Sequence, residues 1–128
     1  MHDIDKLIEA VRQDEEITAV ILFGSIARDE ATAVSDIDVC LVLKSGRYRA
    51  KYLSEKKLHY LKKSDFDIQI FQQLPLYIRK RILKEGKILF CRDEDDLYNI
   101  AFKTIDEYSH MERFYCEYLN EVANGGQR

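Results

Sequence analysis

A chain of 128 residues, 46% hydrophobic and 34% charged, has the composition of a globular domain with one core and no room for a second. Its net charge of −3, with the signs mixed along the chain, lacks the basic footprint of general nucleic-acid binding, so no direct nucleic-acid contact is expected. No apolar run approaches ~18 residues and the first residues, Met1 to Lys6, have no signal-peptide character, so a cytoplasmic protein without a membrane span is expected.

In chain order, Ile4, Leu7, Ile8 and Val11 follow helical spacing and predict a first helix ending near Asp14. Thr18 to Phe23 is a short apolar run, suited to a strand covered on both faces. Gly24 breaks it, Ser25 can cap a short helix toward Asp29, and a polar loop leads to a second strand, Asp36 to Leu43. Ser45-Gly46 signals a turn, followed by a helix over Arg47 to Leu61 with Tyr52, Leu53, Leu58 and Leu61 available for packing. Phe66, Ile68 and Ile70 alternate with Asp67, Gln69 and Phe71 as in a strand. Pro75 opens a helix that Gly86 closes, and Ile88 to Phe90 is a short strand. A long helix over about 93–122 and a disordered tail over 123–128 complete the chain. This order gives an α/β fold: a mixed sheet flanked by helices, its first two strands paired as a hairpin. The whole chain, 1–128, is one domain, with a core over about 1–92.

Cys40, Cys91 and Cys116 form no CxxC pair and are expected to be reduced, buried thiols. His2, His59 and His110 lack ligand spacing, and His110 is expected on a helix surface. The chemistry lies elsewhere. Asp36 and Asp38 stand one residue apart, so in a strand both carboxylates project to one face. Like charges that close raise each other's pKa unless a cation sits between them, and a hard divalent ion does this well. Gly24 and Ser25, ending the preceding apolar run, offer backbone N–H groups and a hydroxyl to phosphate oxygens. Taken singly, Asp36 is an ordinary turn residue and Ser25 an ordinary N-cap. Arg28 suits phosphate contact or a solvated helix end. Lys44, Arg47 and Arg49 read as a solvated cluster near the site mouth, and Arg79, Lys80, Arg81 and Lys84 as a polar helix face.

Gly24-Ser25, ten residues, then Asp36-Ile37-Asp38 resembles the Gly-Ser-x10-Asp-x-Asp signature of the polymerase-β-like nucleotidyltransferases, and the Gly24-Ser-Ile-Ala-Arg28 wording resembles their minimal branch. The resemblance implies the polymerase-β-like nucleotidyltransferase fold and a third carboxylate from an adjacent strand. Asp67 is favoured over Asp65, because an acid inside an apolar strand is costly unless paired or metal-bound. It further implies Mg²⁺-dependent transfer from ATP, with two Mg²⁺ ions on Asp36, Asp38 and Asp67, and with Gly24, Ser25 and Arg28 on the nucleotide. By the same resemblance the acceptor is a tyrosine of a HEPN-type ribonuclease toxin, and the chain is the AMP-transferring antitoxin of a type VII-like toxin–antitoxin pair. Two alternatives stay open: a small-molecule nucleotidyltransferase like the aminoglycoside-modifying branch, and an antitoxin that binds stoichiometrically without turnover.

The last helix bears six of the fourteen aromatics, Tyr98, Phe102, Tyr108, Phe114, Tyr115 and Tyr118. Leu97, Ala101, Ile105, Tyr108, Met111, Tyr115, Leu119 and Val122 form a stripe near heptad spacing. Its first half is expected to cover the sheet; its second half outruns the sheet, leaving aromatics for a homodimer or a hetero-oligomer.

Overall fold

A computed structural model describes residues 2–23, 38–64 and 66–125. The elements are α1 (His2–Arg12), β1 (Ile17–Phe23), β2 (Asp38–Leu43), α2 (Ala50–Leu61), β3 (Asp67–Ile70), α3 (Leu76–Glu85), β4 (Lys87–Cys91) and α4 (Glu94–Gly125), with a 3₁₀ turn at Phe71–Gln73. The strands form one sheet in the order β3-β2-β1-β4. β1 pairs antiparallel with both β2 and β4, whereas β2 and β3 run parallel, so the sheet is mixed as expected.

Strand alternation divides the core in two. Val20, Leu22, Val39, Leu41, Leu43, Ile68 and Ile70 pack with Leu7 and Val11 of α1 and Leu53 and Tyr60 of α2. On the opposite face Ala19, Ile21, Cys40 and Val42 meet Ile82 of α3 and Leu97 and Ile100 of α4. β1 and β2 are therefore apolar at nearly every position because both faces are covered.

Polar clamps fix the frame. Arg92 donates to the carbonyls of Val11, Arg12, Asp14 and Ile17, capping the carbonyl end of α1. Lys56 Nζ lies 2.6 Å from Asp14 and 3.0 Å from Glu16, while the Tyr60 hydroxyl donates to Asp14 and the Tyr52 hydroxyl to Glu16, tying α2 to the turn before β1. Burial alone would push the Asp14 carboxyl up; the hydrogen bonds from Lys56, Tyr60 and the Glu16 amide outweigh it, leaving the pKa below its ordinary value.

Several expectations change. α2 starts at Ala50, not Arg47, because Tyr48 folds back to donate to the Lys44 carbonyl and stacks on Tyr52. Leu58 faces solvent, and Tyr60 takes the core position instead. Of the cysteines only Cys40 is buried; Cys91 is half-buried and Cys116 exposed. Arg79 and Lys80 are half-buried and not part of a solvated face, their cations lying over the rings of Phe71 and Tyr108. α4 continues to Gly125, three residues into the expected tail. No helix among the described residues is long and apolar enough to cross a membrane.

Candidate active site

The hairpin strands place one end of the sheet. Phe23, the last residue of β1, is the register partner of Asp38, the first of β2, so the chain leaves and re-enters the sheet at one point. Gly24 and Ser25 directly follow that exit, and Asp36 precedes the re-entry by two residues. Gly24, Ser25, Arg28, Asp36 and also Asp65 lie outside the described residues. Asp38 and Asp67 lie within them.

The parallel ladder sets Asp38 opposite Asp67, followed by Val39 opposite Ile68 and Cys40 opposite Gln69. Residues in register on parallel neighbours share a face and stand about 4.8 Å apart across the ladder. Alternation assigns the face: Val39 and Ile68 enter the α1/α2 core, so Asp38 and Asp67 project to the other side. Topology thus unites two acids separated by 29 positions. The expected burial of Asp67 is corrected, however. It opens an edge strand and is exposed, while Asp38 is half-buried, so position beside Asp38, not burial, is what marks Asp67.

Sequence reasoning missed the neighbours that orient Asp67. Gln69 Nε2 donates to Asp67 Oδ1 at 3.2 Å, and Lys57 Nζ of α2 donates to Gln69 Oε1 at 3.2 Å. The lysine occupies the amide oxygen, which turns the amide NH₂ toward the carboxylate. Gln69 stands two residues from Asp67 on one strand face, a signal legible once the strand is assigned. By contrast Lys44, Arg47 and Arg49 follow the far end of β2, about 20 Å from Asp38 at ~3.3 Å per residue, and do not border this site.

Two carboxylates on adjacent strands, one exposed and one half-exposed, form an all-oxygen donor set of the kind that hard cations such as Mg²⁺ prefer. Among the described residues no group of three or more His, Cys, Asp or Glu could hold a metal, and Asp36, which the sequence pattern sets beside Asp38, lies outside them.

Comparison with known proteins defines the class. The family model for polymerase beta, nucleotidyltransferase, matches residues 5–95. A protein of Methanocaldococcus jannaschii, provisionally named a protein adenylyltransferase, is 38% identical over 99 residues, 77% of this chain and 75% of that one. This chain therefore belongs to the polymerase-β nucleotidyltransferase family and is a nucleotidyltransferase. Among solved structures, a chain of a toxin–antitoxin crystal structure with AMP-PNP matches with a TM-score of 0.64 at 23% identity, covering 93% of this chain and 98% of that one. A chain from the complex of tri-AMPylated Shewanella oneidensis HEPN toxin with MNT antitoxin matches with a TM-score of 0.62 at 22% identity, covering 94% and 96%. At these identities the structures establish a shared fold.

Proposed function

We propose that this chain is an Mg²⁺-dependent protein adenylyltransferase, which moves AMP from ATP to a tyrosine hydroxyl of a HEPN-type toxin and serves as the antitoxin of a type VII-like pair. The observation that carries the reading is the register pairing of Asp38 with Asp67, next to the Gly24-Ser25 exit of β1, in a nucleotidyltransferase family member. The adenylyl group and a protein acceptor are supported by the name of the Methanocaldococcus jannaschii relative; ATP and the toxin partner are supported by the complexes whose chains share the fold.

In this reading the Gly24 and Ser25 amides and the Ser25 hydroxyl grip the β and γ phosphates, and Arg28 adds a cation beside them. Asp36, Asp38 and Asp67 would hold two Mg²⁺ ions, which neutralise charge on the triphosphate when bound. The tyrosine oxygen attacks the α-phosphorus, the bond from that phosphorus to the bridging oxygen breaks, and pyrophosphate leaves. Asp67, at the exposed lip of the site, accepts the phenolic proton. AMP ends on the tyrosine as a phosphodiester.

The test is incubation of the chain with ATP, Mg²⁺ and the protein encoded beside it, followed by intact-mass measurement. Whole-AMP increments on that protein, abolished by Asp38→Asn with the thermal transition preserved, are expected. Tight association without any mass change, indifferent to Asp38→Asn, would replace the reading with a stoichiometric antitoxin. Modification of a small molecule in the absence of any protein acceptor would replace it with the other alternative.

A further inference from the structure

The stripe that seats α4 on the sheet continues after the sheet has ended. Leu97, Ile100 and Thr104 are buried, and Tyr108 is half-buried under Lys80, whose Nζ lies 4.1 Å from the ring centroid. The same three- and four-residue spacing then gives Met111, Tyr115 and Tyr118, with Phe114 and Leu119 on either flank. These five are 44%, 60%, 55%, 73% and 46% exposed, and every residue from Ser109 to Glu121 is exposed. A helical arm of about 25 Å, at 1.5 Å per residue, thus keeps a core-type face with no core beneath it. Such a helix is marginal alone in water, and its apolar side chains gain only when something covers them.

Charge decides between a second copy and a different partner. From Asp106 to Glu121 the arm carries five carboxylates, Asp106, Glu107, Glu112, Glu117 and Glu121, against one guanidinium, Arg113, for a net charge of −4 with His110 neutral. By helical rotation Glu107 and Glu121 border one side of the seam and Glu112 the other, while Arg113 lies toward the back. A two-fold self-pairing would set this acidic rim against its own copy, and like charges along a helical seam oppose pairing. An apolar groove edged with Lys and Arg meets both features.

We propose that the distal arm of α4, from Met111 to Leu119, is the docking element for a protein partner that offers an apolar, helix-lined groove bordered by basic side chains. The inference rests on the reading that the acceptor is a protein, and adds where on this chain that protein is held. The arm runs on from Tyr108 as a fully exposed helix, whereas Asp38 and Asp67 open β2 and β3, so docking and transfer can be separated by mutation.

The experiment uses the full chain and the protein encoded beside it, with affinity measured by calorimetry and transfer by intact mass. Tyr115→Ala with Tyr118→Ala weakens binding at least tenfold, and Glu107→Lys with Glu112→Lys does so by a similar factor; wild-type affinity falls as salt rises. Unchanged circular dichroism confirms that the variants fold, and Asp38→Asn binds like wild type. Arm variants that bind and transfer like wild type would overturn the docking site while leaving the transferase reading intact. Arm-dependent binding without AMP transfer supports the docking site and removes the transferase reading. A wild-type chain that sediments as a dimer, and as a monomer once Tyr115 and Tyr118 are replaced, would assign the arm to self-association and overturn the proposal.

Discussion

Gln69 shows how a single uncharged side chain can tune a carboxylate pair. Fixed by Lys57 on one side, its amide presents a hydrogen to Asp67, which otherwise sits at the open edge of the sheet with its rotamers unrestrained. Gln69→Leu is expected to lower kcat for the proposed AMP transfer about tenfold with little change in Tm, since second contacts of this kind contribute on the order of 10–100-fold. Asp67→Asn should cost more, and steady-state kinetics with a fixed concentration of the proposed acceptor separate the two. A second residue-scale device is Asp96, in the first turn of α4. It accepts from the Thr18 hydroxyl at 2.7 Å, from the Ser45 hydroxyl at 2.7 Å and from the Ser45 amide at 3.3 Å, binding α4 to β1 and to the turn after β2. Burial pushes its pKa up, but these donors and Lys44 outweigh that and hold it below the ordinary 3.8. A depressed folded-state pKa contributes stability that is fully present above the unfolded value and is lost as pH falls through the folded one. Asp96→Ala should therefore cost about 2–3 kcal/mol near neutral pH, for hydrogen bonds to a charge and a stranded, fully buried Thr18 hydroxyl. The gap from wild type should narrow as pH falls below about 4 and through the lower folded-state pKa, leaving the pH-independent share from Thr18, which urea unfolding across pH can follow. None of the Asp96 contacts is legible in the sequence: Thr18 and Asp96 are 78 positions apart, and the acid reads only as a favourable charge at a helix start. The Asp36-x-Asp38 and Gly24-Ser25 spacing was legible because it is local. The partnership of Asp38 with Asp67 was expected through the family resemblance, and the strand order supplies its register.

At the scale of elements, Gly86 illustrates a residue whose place was read correctly for an incomplete reason. As a stop signal it marks the end of α3, which does finish at Glu85. Its φ is −72°, however, a conformation open to any residue, so freedom of the backbone is not why glycine stands there. A Cβ at this position would lie 2.4 Å from Ile21 Cγ2 and 2.5 Å from the Ile82 carbonyl oxygen, with the Leu22 oxygen at 3.3 Å. The glycine lets the end of α3 rest directly on β1, one strand turn before the Gly24-Ser25 segment. Gly86→Ala must push the helix outward or bend the strand, and is expected to destabilise by about 1–3 kcal/mol, visible as a lower Tm. Because β1 leads into Gly24-Ser25, the proposed phosphate-gripping segment, the variant should also raise KM for the proposed donor ATP, whereas a purely global loss would leave KM unchanged in the folded fraction. Element identities were otherwise readable, since β1 and β2 are apolar on both faces and Pro75 opens α3. Boundaries set by distant contacts were not, as with the start of α2, which yields three residues to the Tyr48 fold-back. Exposure went the same way: β3 is an edge strand, a fact that belongs to the sheet as a whole and that leaves Asp67 in solvent.

Among the described residues the molecule is a four-stranded sheet whose central strands are covered on both faces, with one helix that overshoots its support. Sequence periodicity located the overshoot, because the apolar stripe of α4 is longer than so small a sheet can use. It did not locate the exit point, which Tyr108 and Lys80 set. The two parts should differ sharply in local stability. Amides of β1 and β2 lie in the middle of the sheet between two buried layers, so they exchange only through global or near-global opening. Amides from Met111 to Glu121 are held only by hydrogen bonds within a stretch of helix whose side chains are all exposed, so their opening costs about as little as that of an isolated peptide helix. Hydrogen exchange of the free chain near neutral pH is therefore expected to complete within seconds over residues 111–121 while the β1 and β2 amides stay protected for orders of magnitude longer. Adding the proposed protein partner should slow exchange in the arm and leave the central strands unchanged, because covering the seam stabilises the helix without touching the sheet. An arm as protected in the free chain as the sheet would mean that its aromatic face is already covered, and the division of the molecule into a sheet body and an exposed arm would fail.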